Sequence, residues 1–387
     1  MEKHSQTLVN YIITAAFLLH CLFSCRARTV LPHSAERKGT WKLLLNNTGV
    51  VGVHMVLTHW NTVILFDRSG SGPSGYQLRH RFNGARCKGT HNDLSDSTCY
   101  AHSVEYSISN NSVRHLNLMS DTFSSSGSIL SDGRIVQSGV FGDASRRIHY
   151  FGPCKSGDKC DWSVDKKHLP ENRCEGNEGG NNLYPIVHLS SDGNLFIFAN
   201  RDSILFNYKQ NRVAKKFPRI HGLGSRSYPS TGSSVILPLD HKDGFHKVEV
   251  MICGGATTGA NEEAQQGRFL TGLSSCGRMV ITGNKNQWKM ENMPGPRLMH
   301  DMVLLPTGQV LIINGAKRGC AGWNNGASPA LEPYLYNPKK TLGRRFTVLK
   351  STKIVRMYHS SAILVPDGSV LVTGSNPNNQ YTYKSPY

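Results

Sequence analysis

One hairpin recurs along this chain and limits what it can fold into: an apolar strand, a turn built on Asp-Gly or Thr-Gly, and a second apolar strand. Its clearest form is Ala362-Ile363-Leu364-Val365-Pro366-Asp367-Gly368-Ser369-Val370-Leu371-Val372. The same pattern occupies residues 125–136, 184–198, 228–255, 299–315 and 357–374, with a weaker copy at 54–66. Val, Ile and Leu suit pleated, half-buried strands, and Asp-Gly is expected to supply positive-φ residues for a tight turn. Six such units with few helical periodicities between them, recurring every ~45 to 70 residues, predict an all-β chain. Each unit reads as the inner hairpin of a blade in a kelch-like β-propeller. A β-sandwich is the competing fold, but it has less reason to repeat one hairpin type.

The 38 glycines in 387 residues fit one large repetitive domain better than two or three ordinary ones. Between Cys160 and Asn182 the chain is polar and glycine-rich, a loop composition that interrupts the repeat. A propeller short of one blade there must either close with six or show a gap beside residues 165–182. Lys3 and His4 precede an apolar run from Leu8 to about Ser24, and Cys25-Arg26-Ala27-Arg28 follows, the pattern of a secretory signal peptide over residues 1–28. The remainder, 38–387, is expected to be the propeller domain. In a secreted chain Asn46-Asn47-Thr48 and Asn110-Asn111-Ser112 become glycosylation acceptors. Eight cysteines then lie in an oxidising compartment, and pairs Cys154–Cys160, Cys87–Cys99 and Cys253–Cys276 are expected from spacing, with Cys174 and Cys320 unassigned. The lack of a CxxC pair argues against a structural zinc site. Lys and Arg total 44 against 26 Asp and Glu, a net charge of +18. That excess predicts a polyanionic neighbourhood, and the secretory route favours acidic cell-wall polysaccharide over nucleic acid. No later segment is apolar enough to cross a bilayer.

At Asn181-Asn182-Leu183-Tyr184-Pro185, Arg226-Ser227-Tyr228-Pro229-Ser230-Thr231-Gly232 and Arg356-Met357-Tyr358-His359-Ser360-Ser361 the chain resembles the plant glyoxal oxidases of the galactose oxidase superfamily. The resemblance runs from about Trp41 to Tyr387. It implies a seven-bladed propeller, normally followed by an immunoglobulin-like domain, that oxidises small aldehydes with O₂ and releases H₂O₂. It also implies one copper ion held by two tyrosines and two histidines, one tyrosine being thioether-linked to a cysteine as a radical store. Tyr358 matches the axial tyrosine and His359 the first copper histidine. Where the family has Asp-Thr-Trp-Cys-Ser-Ser-Gly, this chain has Asp121-Thr122-Phe123-Ser124-Ser125-Ser126-Gly127, and Ser124 cannot form a thioether. The Arg-Trp-Tyr-Ala-Thr motif that carries the linked tyrosine does not occur. The family's second copper histidine lies in the C-terminal domain, which is expected to be absent here. His300 stands at a strand start where a ring could face the propeller axis, although such a histidine is more often an ordinary rim residue, and the same applies to His188 and His54. The resemblance thus implies either an aldehyde oxidase with half of its copper site or a non-catalytic propeller held in the cell wall.

Overall fold

The computed structural model describes residues 39–79, 99–118, 120–122, 125–138, 146–152, 160–166 and 184–382. The leader expected at 1–28 lies outside the described residues, as do Ser124, Cys87, Cys154 and Cys174. The chain folds into small antiparallel sheets arranged as propeller blades. The first blade holds β1 (His54–Leu57), β2 (Thr62–Phe66), β3 (Ser103–Ser107) and β4 (Ser112–Leu116). The second holds β5 (Ser126–Ile129), β6 (Ile135–Ser138), β7 (Ile148–Phe151) and β8 (Trp162–Val164). In the third are β9 (Ile186–Leu189), β10 (Leu195–Ala199), β11 (Asp202–Asn207) and β12 (Arg212–Lys216). The fourth is built from β13 (Ser233–Ile236), β14 (Glu249–Cys253), β15 (Ser275–Val280) and β16 (Lys289–Asn292), with a short helix α1 (Ala260–Gln265) before β15. The fifth starts with β17 (Asp301–Leu304) and β18 (Val310–Ile313). A separate hairpin of β19 (Ala316–Gly319) and β20 (Gly326–Pro329) interrupts it before β21 (Tyr334–Tyr336) and β22 (Phe346–Val348). The sixth is the pair β23 (Ser360–Leu364) and β24 (Val370–Gly374). Every repeat seen in the sequence is thus the first hairpin of a blade.

The turns correct one expectation. In three of these hairpins only the glycine takes positive φ: Gly133 (84°), Gly193 (79°) and Gly368 (84°). The preceding aspartate instead caps the turn, accepting the N–H two residues on, from Arg134 and Asn194 at 3.0 Å and from Ser369 at 2.8 Å. A loop with a left-handed glycine at its end needs one strained residue, not two, so Asp contributes its carboxylate and not its backbone.

Most blades pack an apolar face on the next. Ile64, Phe66 and Leu116 of the first meet Ile135, Phe151 and Trp162 of the second. Phe196, Phe198 and Leu205 of the third pack with Val250, Ile252 and Met279 of the fourth. The fourth joins the fifth through Met251, Val310 and Tyr334; the fifth joins the sixth through Val303, Leu311 and Val372; and the sixth returns to the first through Ile363, Leu371 and Val63. Among the described residues no core cluster joins the second blade to the third. On the third blade's other face, cross-strand rows run Val187–Ile197–Ile204 and Leu189–Leu195–Phe206–Val213. None of these belongs to a core cluster, and Val187, Leu189 and Val213 are exposed. Closure with six blades and a gap both turn on residues 167–183, which lie outside the described residues.

The expected Cys253–Cys276 disulfide is present, joining directly opposed positions of β14 and β15. Cys99 and Cys160 are each disulfide-bonded, and Cys320 is a buried free thiol. The sequon residues Asn46 and Asn110 are exposed. No helix of the described residues is long and apolar enough to cross a membrane.

Asp301 opens β17, and its carboxylate accepts from Asn314 Nδ2 at 2.8 Å and from the backbone N–H of Ala362 in the neighbouring blade. Burial outweighs both bonds and pushes its carboxyl up to about 7. The folded state therefore holds this proton more tightly than the unfolded chain. The stabilisation is fully present below the ordinary carboxyl value of about 4 and is lost as pH rises to about 7. Asp301→Asn should flatten the fall of melting temperature between pH 4 and 8. A variant with the slope of the native protein would contradict this account.

Candidate functional site

Side chains from several blades converge where the chain enters the inner strands β9, β13 and β23. Tyr358 and His359 stand just before β23 with their rings stacked, centroids 3.8 Å apart and 27° between planes. The backbone places them by a strained step: His359 has φ 63°, a left-handed conformation rare for a residue with a Cβ. Two bonds hold that step, from Ser375 N to His359 O at 2.8 Å and from Met357 N to Ser375 Oγ at 2.9 Å. Gly374 makes the close approach feasible, because a Cβ there would lie 2.1 Å from His359 O. His359 Nδ1 donates to the carbonyl of Asn376 at 3.0 Å, which leaves Nε2 as the nitrogen with the lone pair. Burial first, then the nearby His54 and Arg68, hold the ring down to about 4 against the Asn376 bond, so it is neutral at pH 7.

Tyr358 Oη is hydrogen-bonded to Tyr228, and the Tyr228 ring lies 5.8 Å from that of Tyr184. Burial, followed by these two phenols, pushes the Tyr358 hydroxyl up, so it stays protonated. The peptide between Tyr228 and Pro229 is cis. Arg68, at the end of β2, lies over the Trp323 ring at 5.1 Å and acts electrostatically on both Tyr358 and His359. Asp121 and Thr122 tie the segment that runs towards Ser124 to the same wall: Ser69 N donates to Asp121 Oδ1 at 3.0 Å, and Thr122 Oγ1 to Asp67 O at 2.6 Å.

The other histidines separate by their partners. His188 Nε2 is bonded to Ser234 Oγ at 2.9 Å, a contact between blades. His300 is buried with neither ring nitrogen bonded, and its cationic neighbours Arg297 and Arg226 add to burial in holding it well below its ordinary value. His54 stacks on Phe66 at 4.9 Å, and its Nε2 is enclosed without a partner.

The sequence reading missed a repeated arginine clamp. Arg226, Arg297 and Arg356 each precede an inner strand and donate to the carbonyl that follows the next strand, that of Gly254, Asn314 and Gly374 respectively. Its signal was legible as Arg-Ser-Tyr, Arg-Leu-Met and Arg-Met-Tyr at one position of three repeats.

A profile of the family described as "Glyoxal oxidase N-terminus" matches residues 53–178 and 174–387. The chain belongs to this glyoxal oxidase family. An aldehyde oxidase (GLOX) of Vitis pseudoreticulata is 37% identical over 396 residues, covering 91% of this chain and 74% of that protein. The aldehyde oxidase GLOX1 of Arabidopsis thaliana is 35% identical, covering 90% of this chain and 64% of that protein. In fold, the chain is similar to a fungal alcohol oxidase of the AA5 family solved in complex with copper, with a TM-score of 0.54, 16% identity and coverage of 88% of this chain and 73% of that one. The resemblance seen in the sequence and the propeller fold are both borne out.

For a glyoxal oxidase relative, the donor set fits a copper ion in part. An imidazole ring and a phenol ring lie stacked, and both carry donors of the types copper accepts. Among the described residues no group of three or more His, Cys, Asp or Glu offers a rival site. The thioether radical does not fit, because Ser124 stands where the cysteine is required.

Proposed function

We propose that this chain is a secreted, copper-binding glyoxal-oxidase-like propeller that holds its metal through Tyr358 and His359 and does not complete the oxidation of small aldehydes. The observation that carries the reading is the stacked Tyr358–His359 pair with the His359 tautomer set by Asn376. When bound, copper would supply a one-electron acceptor and a Lewis acid. Removing two electrons from an aldehyde needs a second one-electron store, and a serine hydroxyl at position 124 cannot make the thioether that creates it. What remains to the chain is binding and proton handling: a neutral His359 imidazole, and a protonated Tyr358 phenol hydrogen-bonded to Tyr228.

Copper titration by equilibrium dialysis tests the binding half. Native protein should take up one Cu(II), with Tyr358→Phe and His359→Gln weaker by about tenfold or more, about 1.4 kcal/mol each. Equal affinity in all three would remove both residues from the site.

Secretion is supported by the leader pattern, the exposed sequon asparagines and the formed disulfide. The net charge of +18 supports a second role, ionic retention on acidic polysaccharide. Elution from a pectate matrix at no higher salt than a neutral protein would eliminate that role.

A further inference from the structure

We propose that the outer rim of the third, fourth and fifth blades, at the end of the propeller away from Tyr358 and His359, is a docking surface for an acidic polysaccharide chain. The inference rests on the ionic-retention reading above and gives it a place on the fold. Topology fixes the end. Tyr184, Tyr228 and Tyr358 each stand just before the first strand of a blade, β9, β13 and β23. Strands alternate in direction within a blade, so the turn from the third strand to the fourth lies at the opposite end from that entry and at the outer edge. Three successive turns of this kind carry the charge. Lys209 lies in the β11–β12 turn and Lys285 in the β15–β16 turn, with Lys289 opening β16. Lys339, Lys340 and Arg344 lie in the β21–β22 turn, and all six side chains are exposed.

Contacts between blades make the row continuous. Lys215 Nζ of β12 donates to Gly283 O in the β15–β16 turn at 2.6 Å, and Arg278 Nη1 of β15 donates to Pro338 O in the β21–β22 turn at 3.5 Å. The acids on the outer strands and beside them are already committed: Asp202 pairs with Arg219, Glu249 with Arg278 and Glu291 with Arg345. Asp192, Asp240 and Asp243 lie on the inner turns of the same end, and of these Asp240 acts on a rim cation, Lys339. The row therefore keeps a cationic excess. Cations set along an edge, and not in a cleft, match an extended chain with one carboxylate per sugar, which several weak contacts hold together and salt releases. Tyr208, 50% exposed beside Lys209, adds a ring on which a sugar can lie. A chain bound here would not cover the Tyr358–His359 pair.

The test compares two double variants of the full chain with equal changes of net charge. Lys285→Glu with Lys340→Glu alters the rim; Lys350→Glu with Lys353→Glu alters the exposed segment between β22 and Tyr358, at the other end. Each is eluted by a salt gradient from immobilised polygalacturonate and from single-stranded DNA. On polygalacturonate the rim variant should elute at about half the salt that native protein needs, and the control variant close to native. Equal loss in both variants would assign retention to net charge alone and overturn the rim as a site, while leaving the retention reading intact. Loss by the rim variant on DNA with unchanged elution from polygalacturonate would overturn the polysaccharide as its partner. Native protein that leaves polygalacturonate with a neutral protein would overturn the retention reading and this inference together.

Discussion

Truncating Phe196 to alanine is expected to cost about 3–5 kcal/mol, whereas lysine at Leu189 or Val213 on the other face of the same sheet should change stability by less than about 0.5 kcal/mol. Phe196 is fully buried between the third and fourth blades, in contact with the cluster that includes Phe217 and Val250. Leu189 and Val213 are 60% and 43% exposed. They border a face whose apolar residues Leu195, Ile197 and Phe206 have no core partner among the described residues. An apolar face left uncovered binds hydrophobic dyes and promotes association. The Leu189→Lys, Val213→Lys double variant should therefore bind less anilinonaphthalene sulfonate and stay monomeric at higher concentration, with its denaturant midpoint unchanged. Equal destabilisation by changes on the two faces would mean that both are covered.

Replacing Arg297 by leucine should destabilise the protein by about 3 kcal/mol or more. Its guanidinium is fully buried, bonds the carbonyls of Asn314, Ala330 and Glu332, and lies 4.3 Å from the Tyr334 ring centroid. Leucine would fill part of the volume but leave these carbonyls without a donor in a place water cannot reach. Arg219, whose ion pair with Asp202 is exposed, is the control: Arg219→Ala should leave stability nearly unchanged. Thermal unfolding of both variants measures the difference, and a similar small loss in each would contradict a structural role for the clamp.

The contrast between these arginines shows where sequence reasoning stops. Strand positions were legible because Ile, Val and Leu alternate around Asp-Gly, and burial of one sheet face enforces that alternation. Even the two apolar faces of β10 were written in Leu195-Phe196-Ile197-Phe198. The clamp was not legible as such, since an arginine is ordinarily solvated, and its burial depends on carbonyls brought close by strands distant in sequence. The site divides in the same way. Tyr358 and His359 were identifiable from a local motif. The approach of Tyr228 and Tyr184 from other blades, the Asn376 bond that sets the His359 tautomer, and the orphaned His54 nitrogen arise from long-range packing. Ser124 was legible in the sequence alone, because a side chain without sulfur cannot form a thioether.

The central claim is that this propeller retains a copper-binding pair without the second one-electron store. The most direct measurement is to load the protein with one equivalent of copper, supply glyoxal or methylglyoxal in air, and assay H₂O₂ against the Tyr358→Phe variant. The account predicts no H₂O₂ above that control; sustained production above it would contradict the claim.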